Sequence, residues 1–168
     1  MNRLQFRSLV LLCLLALTAC GFHMRGAADL SFHTIYIQNG APGIMPDLKQ
    51  IMRSNDVKLL PSPDQAEMLL DLMKETTDKR ILSLSGGGKV KEYALTYRVT
   101  FRAKEAGSEL WGAAQTVEEQ RTFSYDDSQL LAKDYEEARI LSDMRAEAAR
   151  KIMRRLSAQQ TRKPSAAN

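Results

Sequence analysis

Tyr93-Ala94-Leu95-Thr96-Tyr97-Arg98-Val99-Thr100-Phe101-Arg102 alternates apolar and polar side chains without a fault. Successive residues of an extended chain point to opposite faces, so this run is a strand. Tyr93, Leu95, Tyr97, Val99 and Phe101 turn toward a core, while Ala94, Thr96, Arg98, Thr100 and Arg102 form a polar, basic face. A sheet buried on one side only needs helices over that side, which points to an α+β two-layer sandwich.

The neighbouring segments extend this sheet. Upstream, Met68-Leu69-Leu70-Asp71-Leu72-Met73 continues through Thr76, Thr77, Ile81, Leu82 and Leu84, and its length and β-branched content favour one long strand. Ser83-Leu84-Ser85-Gly86-Gly87-Gly88 supplies the turn between the two. Downstream, Ala106-Gly107-Ser108 reverses the chain, and Leu110 to Tyr125 is expected to return as a further strand, with Trp111 an aromatic filling the core. Nearer the N-terminus, His33–Gln38 alternates like a strand. Ile44, Leu48, Ile51 and Met52 recur at helical spacing as far as Ser54, with Asn55 as a stop, and Val57–Leu60 is a short strand bounded by Pro61. This β-α-β unit implies a parallel pair of strands. Asp126, Asp127 and Ser128 offer an N-cap to a final helix whose apolar face is Leu131, Tyr135, Ala138, Leu141, Met144, Ala148, Ile152 and Leu156. The order is β-α-β-β-β-β-α: a mixed four-stranded sheet plus a possible short strand, packed by two helices on one face. Residues 33–157 make one domain, and 158–168 read as a polar, disordered tail.

The first 19 residues are not part of that fold. Arg3 and Arg7 precede an apolar run, Leu9 to Leu17, too short for the roughly 20 residues that span a bilayer. Leu17-Thr18-Ala19-Cys20 then resembles a bacterial lipobox, in which the cysteine is lipidated and becomes the mature N-terminus; an ordinary cleaved signal with a chance cysteine is the alternative. Cleavage removes Cys13, lipidation occupies Cys20, and the mature chain then holds no disulfide or free thiol. Several acyl chains give a durable anchor where one gives only a marginal one. Gly21 after the cysteine, in place of an aspartate, favours the outer membrane. Residues 20–32 form a tether that spans at most about 36–40 Å when extended.

Composition removes most chemistry. A net charge of +4 over 168 residues is no nucleic-acid signature, and loss of Arg3 and Arg7 leaves the mature body at +2. With two histidines and two cysteines there is little material for a metal site or for acid–base catalysis, and no cofactor is implied. Gly86-Gly87-Gly88 lacks the following Lys-Ser/Thr of a phosphate loop, and the paired carboxylates Glu118-Glu119, Asp126-Asp127 and Glu136-Glu137 read as surface or helix-start pairs. The expectation is a protein that is not an enzyme.

One feature carries functional content. Lys79 and Arg80 precede the glycine turn, Lys89 and Lys91 follow it, and Arg98 and Arg102 share the polar strand face, with Asp78, Glu92 and Glu105 the only carboxylates nearby in sequence. Two readings stay open: a charged edge that prevents aggregation, or a site for anionic headgroups in which Leu82 and Leu84 lie beside acyl chains.

Cys20-Gly21-Phe22-His23-Met24-Arg25-Gly26, Val57-Lys58-Leu59-Leu60, Leu130-Leu131-Ala132-Lys133-Asp134 and Ala148–Leu156, in that order behind a lipobox, resemble the LPS-assembly lipoprotein LptE family. The resemblance implies an outer-membrane lipoprotein, first facing the periplasm, that plugs and helps assemble the LptD β-barrel and delivers lipopolysaccharide to the cell surface. Its implied partners are LptD, lipopolysaccharide and the membrane. Its implied lipopolysaccharide contacts are basic residues near the hairpin tip and at the start of the last helix: here Arg80, Lys89, Lys91 and Lys133. Glycines occupy the tip itself. Arg98 and Arg102 are the expected partner-facing residues. Other readings are a scaffolding lipoprotein attached to peptidoglycan or to the barrel-assembly machinery, and a hydrolase with an unrecognised site.

Overall fold

A computed structural model describes Leu30 and residues 32–160. The expected signal, Cys20, most of the tether and residues 161–168 of the tail lie outside the described residues. In chain order the elements are β1 (Thr34–Gln38), α1 (Met45–Ser54), β2 (Lys58–Leu59), β3 (Met68–Leu84), β4 (Val90–Glu105), β5 (Gln115–Ser124), a single 3₁₀ turn (Asp127–Gln129) and α2 (Leu130–Gln160). The strands form one mixed sheet in the order β2-β1-β3-β4-β5. β1 runs parallel to β2 and to β3, and β3, β4 and β5 run antiparallel. The expected α+β sandwich is the observed fold, with β2 as its two-residue fifth strand.

The local reasons are those of the sequence pattern. Ile44, Leu48 and Met52 are fully buried at helical spacing, Pro46 sits in the first turn of α1, and Asn55 closes the helix by donating from Nδ2 to the Ile51 carbonyl at 2.7 Å. Asp56 then takes the left-handed conformation (φ 56°) that lets the chain leave the helix. The core joins Ile35, Leu70 and Leu72 to Leu95, Tyr97, Val99 and Phe101, and to Met144, Ala148, Ile152 and Leu156 of α2. Its one phenol is satisfied: Tyr97 Oη donates to Glu75 Oε1 at 2.6 Å, while Gly43 N–H donates to Glu75 Oε2 at 3.1 Å. Burial, reinforced by that carboxylate, pushes the Tyr97 phenol well above its ordinary pKa.

Two features depart from the simple alternation. First, the register of β3 against β4 slips between Leu72 and Lys74, so Met73 is an extra residue. A bulge of this kind inverts the parity of everything beyond it. Leu70 and Leu72 face the helices beside Ala103 and Phe101; past the bulge it is Glu75, Thr77 and Lys79 that lie beside Val99, Tyr97 and Leu95. Second, the last strand begins at Gln115, not near Leu110. Gly112 N–H donates to the Ala103 carbonyl at 2.9 Å, and a Cβ on Gly112 would come within 2.9 Å of that oxygen, so the glycine lets the chain cross close to β4 as a loop. Trp111 therefore does not fill the core. It lies under the charged ends of Arg102 and Lys104, 4.8 and 5.3 Å from its ring.

β5 is the free edge of the sheet. Two of its carbonyls are taken by guanidinium groups: Arg155 Nη1 of α2 donates to Thr116 O and Arg121 Nη1 to Gln120 O, each at 2.9 Å.

Candidate functional site

The cations of the hairpin separate into three environments. Lys79, beyond the bulge, lies on the helix side. Its ammonium meets Glu137 of α2 at 2.5 Å and stands 4.3 Å from the Tyr93 ring and 5.6 Å from that of Phe123. It is a strut between sheet and helix.

Arg98 and Arg102 lie on the open face, the one no helix covers. Arg98 bridges strands on both sides, with Nε 2.6 Å from Glu118 Oε2 and Nη1 3.1 Å from Asp78 Oδ2. Arg102 Nε donates to Asp71 Oδ2 at 2.8 Å, and Asn39 Nδ2 to Asp71 Oδ1 at 2.9 Å. Asp71 is only 2% exposed, so these two bonds hold a carboxylate that water scarcely reaches. Thr100 and Thr116 share a hydroxyl hydrogen bond at 3.0 Å on the next rung. The open face is thus polar yet largely self-paired.

The third group gathers at one end of the molecule. The hairpin tip, the end of β5 and the start of α2 meet there, because Tyr125 N–H donates to Lys91 O and Lys133 Nζ reaches Ser124 Oγ at 3.2 Å. Asp126 caps the 3₁₀ turn by accepting from the Ser128 backbone N–H at 3.0 Å and its hydroxyl at 2.8 Å, and these bonds hold its carboxyl below the usual aspartate pKa. Lys89 lies 3.4 Å from Asp127 and Lys133 2.8 Å from Glu136. Arg80, opposite Ala94 on the open face, and Lys91 have no carboxylate partner among the described residues. Of the sequence-derived candidates, Lys89, Lys91 and Lys133 come together, Arg80 stands a few rungs below them, and Arg98 and Arg102 are further down the sheet.

The structure corrects one element of the sequence picture. Carboxylates are not sparse around these cations: Glu118, Asp127, Glu136 and Glu137 arrive from β5 and α2, and Asp71 from the far end of β3. Only the pairing of distant segments reveals this. The structure also extends the apolar part. Leu82 and Leu84 are joined by exposed Ile81, Leu130, Leu131 and Tyr135, the last two 75% and 78% exposed. Large apolar side chains left in water beside cations suit an amphiphile with an anionic head.

Among the described residues no group of three or more His, Cys, Asp and Glu could hold a metal ion, and no helix is long and apolar enough to cross a membrane.

Comparison with known proteins agrees with this arrangement. A family model described as LptE, lipopolysaccharide-assembly, matches residues 32–156. The chain is 28% identical over 149 residues to the LPS-assembly lipoprotein LptE of Photorhabdus laumondii, covering 86% of this chain and 81% of that protein. It is 25% identical over 150 residues to the LptE of Pectobacterium atrosepticum, covering 86% and 80%. Its fold superposes on the solution structure of lipoprotein B from Nitrosomonas europaea with a TM-score of 0.71 and 32% identity, covering 84% of this chain and 94% of the other. The rare lipoprotein B of Shewanella oneidensis shares the fold at a TM-score of 0.66 and 23% identity, over 76% and 96% of the two chains. With that family match running from the residue before His33 to the last core leucine of α2, the chain belongs to the LptE lipopolysaccharide-assembly family.

Proposed function

We propose that this protein is a non-enzymatic plug and assembly partner of the LptD β-barrel. It is held at the outer membrane by lipid on Cys20, faces the periplasm first, and takes lipopolysaccharide at the hairpin-tip end. The observation that carries the reading is the coincidence, at that one end, of Arg80, Lys89, Lys91 and Lys133 with exposed Ile81, Leu82, Leu84, Leu130, Leu131 and Tyr135. Lipopolysaccharide offers phosphates to the cations and acyl chains to the apolar side chains. The open face supports the plug role, since a barrel lumen is polar and the Arg98 and Arg102 pairs present a wetted surface to it. Length supports it as well: the 17 residues of β3 extend about 56 Å at 3.3 Å per residue, more than the roughly 40–45 Å of a whole bilayer.

Because Asp127 and Glu136 hold Lys89 and Lys133 in the absence of ligand, phosphate binding at this site is an exchange of ion partners. Such binding is reversible and salt-sensitive, as a carrier that must release its cargo requires.

Co-purification under mild detergent tests the first half, and recovering no LptD counts against it. For the second half, the triple variant Lys89→Glu, Lys91→Glu, Lys133→Glu is expected to capture less lipopolysaccharide at low salt. Unchanged capture there removes direct binding from the proposal. Depletion separates plug from general scaffold: loss of surface lipopolysaccharide with other barrel proteins intact supports the plug.

A further inference from the structure

The opposite end of the molecule has a feature the plug reading does not use. Leu110, in the loop between β4 and β5, is 82% exposed, more than any other large apolar residue described. Trp111 follows it, half-exposed, with Arg102 and Lys104 stacked on its ring. Leu110 lines a cleft of about 420 Å³ with Met68, Ala103, Gly112 and Gln159.

This is also the end from which the chain leaves toward its N-terminus. His33 N–H donates to the Glu67 carboxylate and Ala106 N–H to the Glu67 carbonyl, so the start of β1, the start of β3 and the end of β4 are tied together. Leu30 and Phe32, just upstream, are buried in the core. Ten residues separate Leu30 from Cys20, a reach of at most about 36 Å when fully extended.

We infer that the loop 106–114 docks on the lipid surface that holds Cys20, with Leu110 inserted below the headgroups and Trp111 at their level. The inference rests on the lipid anchor proposed above. Tryptophan with one apolar and one wet side suits that depth. The charges around it nearly cancel, Arg102 and Lys104 against Glu105 and Glu109, so the contact is apolar insertion and does not need an anionic surface. One leucine inserts too weakly to bind alone. A short tether makes the second contact intramolecular, and effective concentration then supplies what affinity lacks. The two contacts together fix which end of the domain rests on the membrane, which a flexible tether by itself leaves free.

Trp111 is the only tryptophan in the chain, so its emission reports on this loop alone. The full lipidated chain is reconstituted into vesicles of phosphatidylethanolamine and phosphatidylglycerol, with flotation measured beside fluorescence. The expected result is a blue-shifted Trp111 emission, protection from acrylamide, and quenching by lipids brominated high on their acyl chains. Leu110→Asp and Leu110→Ser are expected to reverse all three while the protein still floats and keeps its far-ultraviolet spectrum. A chain that floats with Trp111 as open to acrylamide as in detergent-free buffer overturns the loop contact and leaves the anchor standing. A chain that does not float overturns the anchor, and the loop contact with it.

Discussion

Replacing Arg102 with methionine asks whether this residue serves the fold or only a partner. The stem keeps its apolar length while the guanidinium is lost. Asp71, 2% exposed, then retains Asn39 Nδ2 as its one side-chain donor. Breaking a buried ion pair costs about 3–5 kcal/mol. Arg102 is itself 35% exposed, so water already screens part of the pair, and a loss of about 2–3 kcal/mol is expected for Arg102→Met. Urea unfolding of the mature chain, followed by circular dichroism, is the assay. With a slope of about 1–3 kcal/mol per molar, the midpoint should fall by roughly 1–2 M. Adding Asp71→Asn removes the stranded charge and should restore at least half of the loss, a coupling that a double-mutant cycle isolates. A single-variant loss below about 0.5 kcal/mol, or no recovery in the double variant, refutes the assignment of Asp71 as a buried charge that depends on Arg102.

Three further outcomes are expected. The pair Asp127→Asn and Glu136→Gln should raise lipopolysaccharide affinity about three- to tenfold at low salt, since exposed pairs are worth up to about 1 kcal/mol each, and the gain should fade at high salt; titration calorimetry measures it. Gly43→Ala would drive a methyl group into Glu75 Oε1, disturb its bonds to Tyr97 Oη and Gly43 N–H, and lower stability by about 1–3 kcal/mol in thermal unfolding. The Arg150 and Arg154 guanidinium groups hold Glu147 below the usual glutamate pKa. A depressed folded-state pKa adds stability above the unfolded value and loses it as pH falls through the folded one. Wild type and Glu147→Gln should therefore differ above about pH 5 and converge near pH 3, in unfolding curves measured at each pH.

The sheet was legible because β4 alternates over its whole length, and one faultless strand orients its neighbours. Both helices were legible for the same reason at a different period. Met73 was not. A bulge leaves no composition signal, yet it decides that Lys79 serves the helix interface and Arg80 the open face. The loop 106–114 was hidden by Trp111, whose β-propensity outweighed the signal of Gly112; the close approach to the Ala103 carbonyl is tertiary. At the candidate site the positive charges could be counted in the sequence, but their partners could not. Asp71 is 31 residues from Arg102 and Glu137 is 58 residues from Lys79, so the local balance of charge depends on pairings made only by folding.

The guanidinium caps on β5 bear on how many copies can share one surface. A tethered protein is confined to a plane, where encounters between neighbours are far more frequent than in a dilute three-dimensional solution. Bare strand edges under such crowding would zip into ribbons. Here one border of the sheet is a two-residue stub, and Arg155 and Arg121 occupy carbonyls on the other that a foreign strand would need. Dense planar packing without fibre growth is what these few hydrogen bonds make possible.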